Sequence, residues 1–148
     1  MQKYRNHGLA FEYPEDWDLA EEGDEDCTTI TVAEAEGPTF WSLHLMWRRP
    51  PVEEVLEMVE ATFQEEYDDV DIEATTLTVA RREAAARQLD FVCLELVNTA
   101  FVRAFRTGRF TAMILCQATD QELATAQQVF REITDSLDVD LDGEILIS

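Results

Sequence analysis

The sequence predicts an α+β domain: a single, largely antiparallel sheet of six to eight strands with a helix on each face, an αβα sandwich. Three observations predict it. Ala84–Val97, Ala100–Thr107 and Arg109–Ala118 are apolar runs separated only by Asn98-Thr99 and Thr107-Gly108, and links that short force antiparallel neighbours. The last run contains FTAMILC, Phe110–Cys116, apolar enough to require cover on both faces. Two stretches of helical periodicity, one after Pro50-Pro51 and one after Thr119, supply that cover.

In chain order, Leu9–Tyr13 alternates as a short strand and ends at Pro14, which cannot donate to a ladder. Trp17–Ala20 resumes it, and EEGDED, Glu21–Asp26, reads as a solvated loop. Cys27–Ala33 is rich in β-branched residues and reads as a strand. After Gly37-Pro38, Thr39–Trp47 has two faces: Trp41, Leu43, Leu45 and Trp47 on one, Phe40, Ser42, His44 and Met46 on the other. The two tryptophans could floor a ligand groove, but so much apolar area more commonly belongs to a core.

Pro50-Pro51 suits a helix start, where a missing N–H is harmless. Val52, Val55, Leu56, Val59 and Phe63 then form one buried stripe. Ile72–Val79 reads as a strand, with a turn at Arg81-Arg82-Glu83. Thr119-Asp120-Gln121-Glu122 fits a capping box opening the second helix, whose buried face is Leu123, Ala126, Phe130, Ile133 and Leu137. The domain is expected to span residues 1–137, followed by an acidic tail, 138–148.

Charge constrains partners. The chain of 148 residues carries a formal −21, with 21 acids and 4 bases in residues 1–80. Such a field repels nucleic acid and anionic membranes, which are therefore not expected as partners. A cationic partner and a saline habitat are both compatible with it. The segment MQKYRNHGLAFEYP has no apolar secretory core. The odd cysteines Cys27, Cys93 and Cys116 lie in apolar runs without zinc spacing. A cytoplasmic location with reduced thiols is expected.

The signature F-x-Y-P-x-x-W at Phe11, Tyr13, Pro14 and Trp17, with Phe130, Ile133, Ser136 and Leu137 in the closing helix, resembles the PsbP-like superfamily. That group includes photosystem II PsbP proteins, Ran-binding Mog proteins and DcrB relatives. The resemblance implies an αβα sandwich that works as a binding or assembly factor, without known catalysis in most members.

Candidate sites are few. Arg103, Arg106 and Arg109 cluster near the turn at Gly108, in a stretch (81–131) of net +2. They either pair with the chain's own carboxylates or form a partner-binding patch, arginine beside aromatics being common at interface anchors. Asp138, Asp140 and Asp142, followed by Gly143, copy the first half of a calcium loop but lack its bidentate glutamate. A Cys–His pair such as His44 with Cys93 would need a shared site and an orienting group. No phosphate loop, dinucleotide fingerprint or metalloprotease motif is present. The expected function is a non-catalytic protein-binding or adaptor domain without a cofactor. The alternatives are a calcium-responsive module and a small enzyme lacking a recognisable motif.

Overall fold

Two meanders share one seam. The computed structural model describes residues 1–140. Its elements run β1 (Gln2–Asn6), β2 (Leu9–Tyr13), β3 (Trp17–Gly23), β4 (Cys27–Glu34), β5 (Phe40–Met46), α1 (Val52–Glu66), β6 (Asp71–Val79), β7 (Arg82–Cys93), β8 (Leu96–Arg106), β9 (Thr111–Thr119), α2 (Leu123–Ser136) and β10 (Asp138–Val139). The meanders β3-β4-β5 and β6-β7-β8-β9 join where β5 pairs antiparallel with β9, giving a seven-stranded sheet of order β3-β4-β5-β9-β8-β7-β6.

The expectation of one sheet with a helix on each face is corrected. A second sheet of order β1-β2-β10 lies outside the first. Its Leu9, Phe11 and Val139 share a core with α2 and with Trp41, Leu43, Leu45, Ile114 and Phe105 of the large sheet. The opposite core joins Val55, Leu56 and Phe63 of α1 to Leu89, Phe91, Val102, Ala104 and Met113. The stretch from 138, expected as an acidic tail, opens with β10, in which Asp138 and Val139 pair with Ala10 and Leu9. Val139 is buried. β1 had no apolar alternation to announce it, because all its residues but Tyr4 are exposed.

Helix α1 starts as expected, with Pro51 at its N-cap and acidic Glu53 and Glu54 in the first turn, where the dipole favours them. The capping box before α2 does not form. Glu122 is the N-cap, without a side-chain cap, and its carboxylate instead accepts the Thr39 hydroxyl at 3.2 Å. Ser136 closes the helix onto β2: its Oγ accepts the Glu12 N–H at 2.8 Å and donates to the Ile133 carbonyl. Trp41 is core, its Nε1 donating to Thr134 Oγ1 at 3.0 Å. Trp47, half-buried, donates to Thr28. Of EEGDED, the first three residues extend β3.

The turns also differ. The apolar run 84–97 is not one strand: Cys93 pairs with Leu96, so Leu94-Glu95 is the hairpin loop. Asn98 and Thr99 are buried ladder residues whose side chains bond Leu96 O and Asp90. Likewise Val79 pairs with Arg82 across Ala80-Arg81. These loops have both residues at positive φ (52° and 67°, 49° and 66°), the conformation that right-twisted two-residue hairpins need and that Asn-Gly normally supplies. Neither loop contains glycine or asparagine; Leu94-Glu95 was not legible as a turn, and the turn expected at Arg81-Arg82-Glu83 falls one residue earlier, at Ala80-Arg81. A left-handed L-residue costs about 1–2 kcal/mol. Glu95→Gly is therefore expected to raise unfolding stability by roughly 0.5–1 kcal/mol, measured by denaturant titration, after allowance for added chain entropy. Unchanged or lower stability would show that the loop is not held as described.

Candidate functional site

Alternation along β8 places Phe101, Arg103 and Phe105 on the α2 face and Val102 and Ala104 on the α1 face. Where α2 runs beside β8, a cavity of about 240 Å³ opens, lined by Leu77, Phe101, Arg103 and Cys116 of the sheet and by Phe130 and Thr134 of the helix, among others. Phe101 and Phe130 meet edge to face at 6.4 Å, and the Arg103 guanidinium sits 5.7 Å from the Phe101 centroid. Burial pulls the Arg103 pKa down and pushes the Cys116 thiol well up, the nearby guanidinium only partly opposing the latter. A thiol so held is protonated at neutral pH and is a poor nucleophile.

The three expected arginines diverge. Arg103 enters the cavity. Arg106 Nη2 donates to the Arg49 carbonyl and Arg49 Nε returns a bond to Thr107 O at 2.9 Å, tying the β8–β9 turn to the approach to α1. Arg109 Nη2 donates to His7 O at 3.1 Å, and a Cβ on Gly8 would fall 2.1 Å from Arg109 Nη1. Arg106 and Arg109 thus brace loops through backbone carbonyls, and no single patch unites the three. Among the described residues the arginines seen facing carboxylates include Arg48 with Asp26, Arg81 with Asp138, and Arg87 with Glu60.

Of the calcium residues, Asp138 is held 3.1 Å from Arg81 Nη2, and the Asp140 N–H donates to Gly8 O. Asp142 lies outside the described residues. Among those residues no group of three or more His, Cys, Asp or Glu is arranged to hold a metal. In the EEGDED segment, Asp24 Oδ1 accepts the N–H groups of Asp26 and Cys27 and shapes the turn. Glu21 accepts Tyr4 and His7. A second depression beside Trp17 is lined by Asp16, Glu34 and Glu122; burial, then Glu122, lifts the Glu34 pKa.

His44 meets Ser42 and Thr29. Ser42 Oγ donates to Leu115 O at 3.0 Å, so it accepts from His44 Nε2 at 2.9 Å, and Nδ1 accepts the Thr29 hydroxyl at 3.3 Å. The serine proton points at a carbonyl rather than at the imidazole, which does not make a nucleophile–base pair. The three cysteines are free, with Cys27 and Cys93 half-buried.

Sequence reasoning missed a second feature. The β7–β8 hairpin exposes Val92 (57%), Leu94 (91%), Leu96 (38%) and Val97 (45%), with Val92 and Val97 directly opposed. Tyr67 stacks on Phe91 at 4.4 Å and brings the acidic end of α1 alongside β7.

By sequence, no family model and no curated protein matches the chain. By structure, it is similar to LpqN, involved in cell envelope biogenesis of Mycobacterium tuberculosis, at 14% identity and TM-score 0.56, over 94% of this chain and 91% of that one. The cyanobacterial PsbP, CyanoP, of Synechocystis sp. PCC 6803 matches at 14% and 0.62, over 93% and 91%. A Bacteroides thetaiotaomicron VPI-5482 protein matches at 14% and 0.62, over 96% of this chain but 49% of its own. The class is therefore a PsbP-like fold. No described helix is long and apolar enough to cross a membrane.

Burial lowers the His44 pKa below the histidine norm of about 6.5. The unfolded chain then binds more protons, so this group's stability is complete above about pH 6.5 and is lost as pH falls through the folded value. An NMR titration is expected to place His44 below about 6.5, and His44→Gln to flatten part of the melting-temperature loss as pH falls below about 6.5. A midpoint at or above 6.5 would contradict the buried neutral imidazole.

Proposed function

We propose that this chain is a non-catalytic adaptor domain that binds a protein partner through the tip of the β7–β8 hairpin. The observation that carries this reading is the exposure of Leu94 in the two-residue loop together with Val92, Leu96 and Val97 on the strand ends that flank it. Large apolar side chains grouped at one protruding point are a common mark of interaction surfaces. Glu95 sits within the tip, and the exposed Glu65, Glu66, Asp68 and Asp69 end α1 nearby. The partner surface that fits is an apolar recess with a basic rim, the charges steering approach and the apolar tip holding it. The protonated Cys116 and the committed His44 support a non-catalytic role. The free thiols fit a reducing compartment, the cytoplasm, as its setting.

A photo-crosslinking residue at position 94, with Gln128 as a control position, tests the reading in the native host. A discrete adduct is expected at 94 and not at 128, reduced several-fold by V92T/V97T, which keep β-branched side chains and so the strand. Equal adducts at both positions, or an adduct indifferent to V92T/V97T, would overturn it.

A further inference from the structure

We infer that the cavity between α2 and β8 is a binding site for a small organic monocarboxylate with a flat apolar body, seated on Arg103. A guanidinium has five N–H donors. Arg103 makes one long bond, Nη1 to Val102 O at 3.4 Å, and rests on the Phe101 ring. Among the described residues no carboxylate lies within ion-pair distance of it, in a chain with 32 acids and 11 bases. The largely buried charge has lost water without gaining a counterion, a costly state that an incoming carboxylate relieves through a forked pair of hydrogen bonds.

The remaining features narrow the ligand. Thr134 Oγ1 accepts Trp41 Nε1, which leaves its own proton for an acceptor in the cavity. The lining carries Arg103 and Arg131 against Asp135, one net positive charge, which suits a monoanion. Phe101, Phe130 and Leu77 form apolar walls against which a flat ring packs. At about 240 Å³ the space is smaller than the ~300–1,000 Å³ of drug-sized sites, so one or two fused rings fill it. Cys116 is buried against these walls with its thiol protonated, so binding is noncovalent.

Calorimetry on the full chain with 2-naphthoate and its neutral counterpart 2-naphthalenemethanol tests this. One-site binding of the acid is expected, at least about tenfold tighter than the alcohol, the scale of a charge-assisted hydrogen bond in a desolvated site. Arg103→Met is expected to bring the acid down to the level of the alcohol while melting at or above wild type, since it removes an unpaired charge. Equal binding of acid and alcohol to the wild type overturns the inference whatever the variant does. So does undiminished acid binding by a folded Arg103→Met, or the absence of saturable binding at about 10 mM.

Discussion

Double enclosure of β9 is the constraint on which the rest of the molecule depends. From Thr111 to Gln117 each residue is registered with β5 on one side and with β8 on the other. Ala112, Ile114, Cys116 and Ala118 face the α2 core, while Met113 and Leu115 face α1. With ladders on both edges and layers on both faces, no backbone group on this strand can rely on water. Full burial of Ile114 there contributes about 1.5–3 kcal/mol. Register against β9 then fixes the facing of every neighbour, because a slip of one residue would turn the apolar sets outward. Arg103 lies opposite Ile114, which is why a charged residue points into the α2 side.

Sheet width explains where the candidate surfaces fall. Seven strands at ~4.8 Å span roughly 30 Å, whereas one helix covers about 10 Å. On the α2 face the small sheet fills the gap over β5 and β9, with Phe11 against Trp41 at 4.9 Å. Among the described residues the β6-β7-β8 end has no equivalent filler on that face. A cavity remains along the edge of α2, and the end of the β7–β8 hairpin leaves apolar side chains exposed. Both surfaces follow from a sheet broader than its cover.

Much of this was legible in the residues. FTAMILC announced a strand covered twice, and the stripe Val52, Val55, Leu56, Val59, Phe63 announced the buried face of α1, because burial imposes period on sequence. The face Trp41, Leu43, Leu45 was right for the same reason. The PsbP-like signature, Phe11 through Trp17, lies in the α2 core and reports packing rather than chemistry. What was not legible depended on backbone conformation or distant partners. Leu94-Glu95 turns without the residues that advertise turns, while polar Asn98 and Thr99 imitated one from inside a ladder. The capping box failed because Thr119 still belongs to β9 and the helix begins only after Glu122, whose carboxylate meets Thr39, some eighty residues away. Phe101 and Arg103 were seen to share a face. Nothing local linked them to Phe130 and Thr134, since only the crossing of α2 over the sheet brings them together.

Native-state amide hydrogen exchange tests the enclosure of β9 most directly. Amides from 111 to 117 are expected to exchange only through global unfolding, with protection free energies equal to the stability measured by denaturant titration, while those of the outer strands β3 and β6 open earlier. Exchange of the β9 amides through local openings, as fast as those of β6, would contradict a sheet organised around a strand shielded on every side.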